Sequence, residues 1–316
     1  MRQKNQIPTL IKESKSKNFT HVFLTVSPFT SLIFRMIVEK YSLDLNAIKV
    51  FSFRNTDTSL INFNVSSVST KKYHRILEKF FWDSPIARKI KREIGNDQFI
   101  LYSSWAFREA EWLINHKQCV GHIYIEEGQH SYMNIPSYNP LKVRILDKFK
   151  RNWNSRFSSN DEKGFYFRND ANAFIGISDK IFPAIPEDKK YYLDNLNEMK
   201  SYYTPKLIGI NRIGLSCASR RINENNWDKM LKTLFKYVGK GGAIKIHPSF
   251  SATKKLRNKF EKTFQRMSTK NDYLCSDEII IELEMLYEKK KIYGPKTSLS
   301  RYAKILGSEF IDIKLY

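Results

Sequence analysis

Short apolar runs alternate along the first half of the chain with longer amphipathic segments. Runs of this kind predict buried strands, and apolar residues at helical spacing predict helices. The strands are expected at residues 20–27, 47–53, 98–103, 119–125 and 173–178, and the helices at 30–40, 71–94 (interrupted at Pro85) and 106–116. Strands alternating with helices over this length indicate a parallel sheet covered by helices on both faces.

The alternation restarts in the second half, after a polar segment bounded by prolines at residues 183–206. Such a segment is the best candidate for a linker. Beyond it, strands are expected at 212–216, 243–247 and 292–294, and helices at 226–238, 252–267, 277–289 and from 297. We therefore predict two α/β domains around one cleft, one over residues 1–190 and one over 206–316, joined by the linker at about 183–206.

Composition agrees with a folded chain. Hydrophobic residues make up 41% of the 316 residues and aromatic residues 14%, which disfavours disorder and allows a large core. No apolar run approaches eighteen residues, and the N-terminus lacks the features of a secretory signal, so neither a membrane span nor secretion is expected. Three cysteines without CxxC spacing are most simply reduced thiols in the cytosol.

The formal net charge is +22, from 54 lysine and arginine residues against 32 aspartate and glutamate residues. A basic surface of this size attracts an anionic membrane, an anionic glycan or nucleic acid. No nucleic-acid-binding motif accompanies it, so no specific nucleic acid partner is expected, and we predict a peripheral position on the inner face of the cell membrane. A basic, aromatic-rich helix over residues 141–157 either lies in the membrane interface or packs against its own domain.

Three short polar motifs each follow a predicted strand. They are Glu126-Glu127-Gly128, His247-Pro248 and Thr297-Ser298. In an open parallel sheet, ligands bind beyond the carboxyl ends of the strands. A carboxylate pair, an imidazole and a hydroxyl pair at three such ends suit transfer of a group from a phosphate to an alcohol.

An acid-acid-Gly motif, then His-Pro, then a Ser/Thr pair resembles the bacterial sialyltransferases that use CMP-sialic acid, including the lipooligosaccharide, capsule and polysialic acid enzymes. The similarity covers the motifs and their flanks, such as IYIEEGQHSY and AIKIHPSF; the first hundred residues carry no comparable signature. The resemblance implies a GT-B fold of two Rossmann-like domains. It also implies transfer of sialic acid from CMP-sialic acid to a hydroxyl, galactose in first place, of a bacterial surface glycan, without a cofactor.

The resemblance places the catalytic carboxylate second in the acid pair, so Glu127 is expected to be the general base. Glu126 is expected to orient the acceptor or to raise the pKa of its neighbour. Gly128 lets the acceptor approach the backbone, and His130 is close enough in sequence to support the site. The alternative is that both glutamates are solvated loop residues.

His247 is expected to act as acid or hydrogen-bond donor to the phosphate of departing CMP, with Pro248 fixing the backbone after it. Thr297 and Ser298 open a helix and are expected to bind that phosphate, unless they only cap the helix. By the resemblance, Glu282 holds the ribose, although Glu278 and Glu284 lie nearby.

Several signatures are absent from the sequence. There is no Asp-x-Asp pair, GxGxxG, P-loop, HExxH or paired Cys/His metal spacing. Metal-independent inverting transfer follows as the predicted mechanism, with no metal site. Two other interpretations stay open: a transferase for CMP-Kdo or another nonulosonic acid, and a basic nucleic-acid-binding protein in which the motifs are coincidental.

Overall fold

The chain divides into two compact units, Met1–Met199 and Lys200–Tyr316. The structure, a computed structural model, describes residues 7–53, 65–68, 85–135, 137–139, 167–218, 222–247, 250 and 254–315. Each unit is built on a parallel β-sheet with α-helical crossovers. Both units are Rossmann-like, which confirms the predicted α/β fold class.

The first unit contains a parallel sheet of seven strands in the order β3-β2-β1-β4-β5-β8-β9. Its strands are β1 (Thr20–Thr25), β2 (Ile48–Ser52), β3 (Val65–Ser67), β4 (Phe99–Ser103), β5 (Cys119–Ile125), β8 (Ala173–Gly176) and β9 (Lys190–Tyr192), and a separate pair is formed by β6 (Ser137–Tyr138) and β7 (Phe167–Arg168). The helices are α1 (Thr9–Lys17), α2 (Pro28–Tyr41), α3 (Pro85–Ile94) and α4 (Arg108–Ile114). Every residue of β1 and β4 is buried, as expected of central parallel strands.

Helix α2 begins two residues earlier than its apolar pattern predicts, because its start is fixed by polar groups. The Ser27 hydroxyl accepts the Thr30 backbone N–H at 3.2 Å, and the Thr30 hydroxyl accepts the Ser27 N–H at 3.1 Å. This capping box, with Pro28 as the first helical residue, satisfies backbone donors that the helix itself leaves unpaired. The capping box therefore fixes the start of α2 shortly after the end of β1.

The second unit contains a parallel sheet of five strands in the order β12-β11-β10-β13-β14. Its strands are β10 (Arg212–Leu215), β11 (Ala243–Lys245), β12 (Tyr273–Leu274), β13 (Lys291–Gly294) and β14 (Glu309–Asp312), and its helices are α5 (Trp227–Val238), α6 (Lys254–Met267), α7 (Ile281–Tyr287) and α8 (Leu299–Ile305). The strand order runs one way through β10, β11 and β12 and then reverses through β13 and β14. In its core, Trp227 packs edge to face against Phe250 and Phe260, and these two rings contact each other at a tilt of 56°.

Residues 183–206, predicted as a linker, carry structure of their own. Strand β9 pairs with β8 in the first sheet, and Tyr192 and Leu193 are buried. The polar composition is accommodated at this sheet edge, where the Lys190 ammonium donates to the Glu187 carboxylate at 2.7 Å. The first unit therefore takes in most of this segment.

Helix α7 begins at Ile281, four residues after the predicted start at 277. In the residues before it, the carbonyl oxygens of Ser276 and Asp277 accept hydrogen bonds from the Lys245 ammonium at 2.6 and 3.2 Å.

The apolar periodicity did not predict α1 or short strands such as β3, β9, β12 and β14. The predicted helix at 141–157 and the first part of that at 71–94 lie outside the described residues. Among the helices that the structure does describe, none has the length and apolar character to cross a membrane.

Candidate functional site

The two glutamates that follow β5 have different environments. Glu126 is fully buried. Its Oε1 accepts the Tyr132 hydroxyl at 2.6 Å, and its Oε2 accepts the backbone N–H of Ile177 at 2.8 Å. A buried carboxylate tied in this way is not a solvated loop residue, so that alternative is wrong for Glu126.

Glu127 is half-buried and opens a short loop. Its backbone N–H donates to the Ser131 hydroxyl at 2.7 Å. Gly128 has φ of 55° and begins a 3₁₀ helix over Gly128–Tyr132, so this position favours glycine for its backbone conformation. His130 is half-buried on the same turn, and burial lowers the pKa of its imidazole. Glu127 is thus the carboxylate of the pair that keeps contact with solvent.

In the second unit, the strand order reverses between β10 and β13. Ligands of open α/β sheets bind at the carboxyl ends of the strands where the order reverses. Ser216 follows β10 and His247 follows β11. The Ser216 hydroxyl accepts the His247 backbone N–H at 2.8 Å, and the Ser216 N–H donates to the Lys245 carbonyl at 3.0 Å. Ser216 was not predicted as a site residue, although a polar residue directly after a strand is the same signal that selected His247.

Thr297 and Ser298 follow β13 at this reversal. Ser298 is at the N-cap of α8 but makes no side-chain capping hydrogen bond, so the simple capping alternative is wrong for it. The Thr297 hydroxyl oxygen is buried and has no hydrogen-bond partner. Helix α8 has seven residues, so the hydroxyl groups, rather than the helix, are what this turn offers to a phosphate.

Gly294 keeps the end of β13 close to β10. A Cβ at this position would lie 2.7 Å from the Leu215 Cβ and 3.0 Å from the Leu215 carbonyl oxygen. Either distance is shorter than ordinary van der Waals contact. The absence of a side chain therefore allows the two strands that flank the reversal to approach each other.

Glu282 and Glu284 both lie in α7 but have different surroundings. Glu284 is fully buried and accepts three hydrogen bonds, from the Tyr203 hydroxyl (2.6 Å), the Lys206 N–H (2.7 Å) and the Leu207 N–H (3.0 Å). Glu282 is half-buried, and burial raises the pKa of its carboxyl to about 7, against the smaller opposing effects of a hydrogen bond from its own backbone and of Lys245. Of the two, Glu282 is the one with access to a ligand.

The predicted site residues therefore fall into separate groups. Glu126, Glu127, Gly128 and His130 belong to the first unit, and His247, Glu282, Thr297 and Ser298 to the second. Pro248 lies outside the described residues. Within the described ranges, no group of three or more His, Cys, Asp or Glu side chains is arranged to hold a metal ion.

Solved structures with a similar fold are found by structural comparison. The complex of MnaA from S. aureus with UDP matches with a TM-score of 0.54 and 8% sequence identity, over 94% of this chain and 79% of that chain. A putative UDP-N-acetylglucosamine 2-epimerase from Listeria monocytogenes matches with a TM-score of 0.52 at 8% identity, over the same shares. No protein-family model and no curated protein sequence matches. At such low identity the likeness establishes the fold.

These relatives correct the predicted family. One was solved with UDP and the other is described as a putative UDP-sugar epimerase; neither is a CMP-sialic acid sialyltransferase, so the predicted resemblance is wrong. The physical reason is that Glu-Glu-Gly, His-Pro and Thr-Ser are short. A parallel sheet of any such enzyme places acids, imidazoles and hydroxyls at its strand ends.

The functional predictions that rested on the resemblance change with it. Inverting transfer of sialic acid from CMP-sialic acid to a capsule or lipooligosaccharide glycan is wrong, as is the CMP-sugar donor, because these relatives bind or act on UDP or UDP-sugars. The alternatives, a CMP-Kdo transferase and a nucleic-acid-binding protein, gain no support either. The coarser prediction of a sugar-nucleotide enzyme agrees with the comparison.

Proposed function

We propose that this protein is an enzyme of a UDP-activated sugar, with UDP-N-acetylglucosamine as substrate and epimerisation at C2 as the reaction. One observation carries the proposal. The second unit reverses its strand order between β10 and β13 and presents Ser216, His247 and Thr297 after neighbouring strands. This arrangement lies in a fold shared with a UDP complex and with a putative UDP-sugar 2-epimerase.

The polar groups of the second unit suit a uridine diphosphate. The Thr297 hydroxyl has an unused donor, and with Ser298 it would donate to phosphate oxygens. Lys296 is exposed beside them and supplies positive charge. Glu282 would accept the two ribose hydroxyls, since a carboxylate has only acceptors. Its lack of a hydrogen bond to neighbouring elements, in contrast to Glu284, supports this assignment.

Epimerisation breaks one C2–H bond and forms another on the opposite face of the ring. The net change is redox-neutral, and removal and return of a C2 proton by acid–base chemistry needs no resident cofactor or metal; we propose that route. A group that accepts a proton is needed, and Glu127 is our candidate because it is the accessible carboxylate after β5. If loss of the C2 proton is accompanied by cleavage of the C1–O bond, the diphosphate leaves and a C1–C2 double bond forms; return of the diphosphate to C1 and of a proton to the other face of C2 completes the change. His247 is a candidate hydrogen-bond donor to the leaving diphosphate oxygen.

We also infer a peripheral position on the cytoplasmic face of the cell membrane. Helices α5 and α6 pack against each other on the second sheet and carry nine basic and two acidic residues. The basic residues are Lys229, Lys232, Lys236, Lys254, Lys255, Arg257, Lys259, Lys262 and Arg266, and the acidic ones are Asp228 and Glu261. Helices α7 and α8 balance two glutamates with one arginine and one lysine. The excess of basic residues on α5 and α6, which we call the basic face, fits an anionic surface.

Two experiments test the proposed reaction. In a melting assay, UDP should raise the melting temperature and CMP should not, because only a ligand that binds the native state stabilises it. In D₂O, the protein should convert UDP-N-acetylglucosamine to its C2 epimer with deuterium at C2, detected by NMR. Stabilisation by CMP rather than UDP would reject the nucleotide, and unlabelled, unchanged substrate would reject the reaction.

A further inference from the structure

The buried carboxylate of Glu126 joins two backbone segments that flank the carboxyl end of β5. One oxygen accepts the Tyr132 hydroxyl, at the far end of the 3₁₀ helix, and the other accepts the Ile177 N–H, directly after β8. Both partners are pointed at a side chain that is fully buried. A charge-assisted hydrogen bond in such surroundings is stronger than a neutral one in water.

The space around this carboxylate is kept by glycine. A Cβ at Gly176 would overlap Glu126 Oε2 and would lie 2.9 Å from the Glu126 Cβ. The end of β8 can therefore hold the carboxylate only when residue 176 has no side chain. The φ of Gly176 is not positive, so glycine is needed here for space and not for backbone conformation; a Cβ would also lie 2.8 Å from the Ile181 Cδ1.

Two further hydrogen bonds, both made by Ser131, hold the loop that carries Glu127. The Glu127 N–H donates to the Ser131 hydroxyl at 2.7 Å, and the Ser131 carbonyl accepts the Phe182 N–H at 2.6 Å. Glu127 directly precedes the five-residue 3₁₀ turn Gly128–Tyr132. The last residue of this turn, Tyr132, donates a hydrogen bond to Glu126. Glu126 therefore contacts the end of the turn that follows Glu127.

We propose that Glu126 is a positioning residue for Glu127: its carboxylate bonds Tyr132 and Ile177 and so holds the turn that presents Glu127 to the substrate. The inference rests on the proposed function only in taking Glu127 as the residue that meets the substrate. Glu126 itself acts through the turn and does not touch the sugar. Its role is geometric, so its shape and hydrogen bonds matter more than its charge.

Substitution by glutamine separates these roles. In Glu126→Gln the carbonyl can accept the Ile177 N–H and the amide can donate to the Tyr132 oxygen, so both contacts survive without the charge. We expect kcat close to the wild-type value. Glu126→Ala loses both contacts and should lower kcat about a hundredfold, the scale of a misplaced catalytic group, with little change in KM because Glu126 itself does not touch the substrate.

Two tyrosine variants distinguish loss of the hydrogen bond to Glu126 from a general loss of folding. Tyr132→Phe removes one bond to Glu126 and should lower kcat about tenfold, the scale of one hydrogen bond to a charged group. Tyr192→Phe is the matched control, because the Tyr192 hydroxyl also donates to a glutamate, Glu187, at 2.9 Å in the same unit. That control should leave kcat unchanged.

Hydrogen exchange measures the turn without any substrate. The Glu127 and Ile177 amides should be protected in wild type and in Glu126→Gln, and should exchange faster in Glu126→Ala. If wild-type protein fails to turn over UDP-N-acetylglucosamine, the proposed function fails while this measurement still tests the turn. A large loss of kcat in Glu126→Gln with unchanged protection would overturn the proposal, and so would unchanged protection in Glu126→Ala.

Discussion

The two glutamates after β5 show how far the role of a residue depends on its surroundings. Glu126 and Glu127 are chemically identical and adjacent, yet one is fully buried and bonded while the other is half-buried. We expect Glu127→Gln to lower turnover of UDP-N-acetylglucosamine about a hundredfold or more, the usual scale for a general base. Binding of UDP, measured by calorimetry, should be unchanged.

Glu126→Gln is the matched control for that substitution, since it makes the same chemical change one residue away. The two variants should differ strongly in kcat and not in melting temperature. Equal activity of Glu127→Gln and wild type would place the base on another residue.

If Glu282 binds the ribose as proposed, nucleotide binding is expected to depend on pH. Burial raises the pKa of its carboxyl to about 7, and the ionised form is the better acceptor for ribose hydroxyls. Affinity for UDP-N-acetylglucosamine should therefore rise about tenfold from pH 6 to pH 8, following the fraction of ionised Glu282. Titration calorimetry checks this. The rise should be absent in Glu282→Gln, and a wild-type affinity independent of pH would remove Glu282 from the ribose site.

At the scale of the element, the turn between β13 and α8 is expected to bind phosphate through hydroxyl groups. The double variant Thr297→Val with Ser298→Ala should weaken UDP binding, since it removes two donors and leaves the turn's backbone hydrogen bonds in place. Thr233→Val with Thr263→Val is the control, because both hydroxyls donate only to carbonyls within their own helices. Unchanged UDP affinity in the first pair would show that the phosphate lies elsewhere.

Strand β5 also sets a pH limit on stability. Its His122 is buried, and burial lowers the pKa of the imidazole far below 6.5, although Asp170 lies 3.7 Å from its Nε2 and opposes the shift. Arg168 holds Asp170 and Glu111 nearby. The unfolded chain binds a proton below pH 6.5 and the folded chain does not. The contribution of His122 to the free energy of unfolding is therefore fully present above pH 6.5. Below that pH the free energy of unfolding falls by up to about 1.4 kcal/mol per pH unit.

Urea denaturation at pH 7, 6 and 5 measures this effect. We expect the free energy of unfolding of wild type to fall with pH, and that of His122→Gln to fall less steeply. Parallel pH profiles for the two proteins would assign the acid sensitivity to other groups.

At the scale of the whole molecule, the basic face of α5 and α6 should attract the protein to anionic vesicles. Each basic residue near such a surface contributes about 1 kcal/mol, and salt screens the attraction. Co-sedimentation with anionic but not neutral vesicles should weaken in Lys229→Gln with Lys232→Gln and Lys236→Gln. The same three-charge change at Arg88, Lys89 and Arg92 on α3 is the control. Equal loss in both would point to net charge, rather than to this face.

The apolar pattern predicted most of the central elements, because a buried strand or helix must carry apolar residues at the period of its own geometry. β5 was predicted at residues 119–125, its observed bounds, and α5 within one residue. Two short edge strands were missed for different reasons. β14 is partly exposed, and β9, although buried, has only three residues, a lysine and two tyrosines, which form no apolar run. The three polar motifs could be located from the sequence because each one follows a predicted strand.

The sequence by itself determined that the chain folds as two α/β units and that acids, an imidazole and hydroxyls stand after their strands. Hydrophobic periodicity is local, so it can be read from the order of residues. Only the tertiary structure decided that Glu126 is buried and Glu127 accessible, that Ser216 supports His247, and that Glu282 rather than Glu284 is available to a ligand. These differences arise from contacts between residues up to 81 positions apart in the chain, which no local pattern encodes.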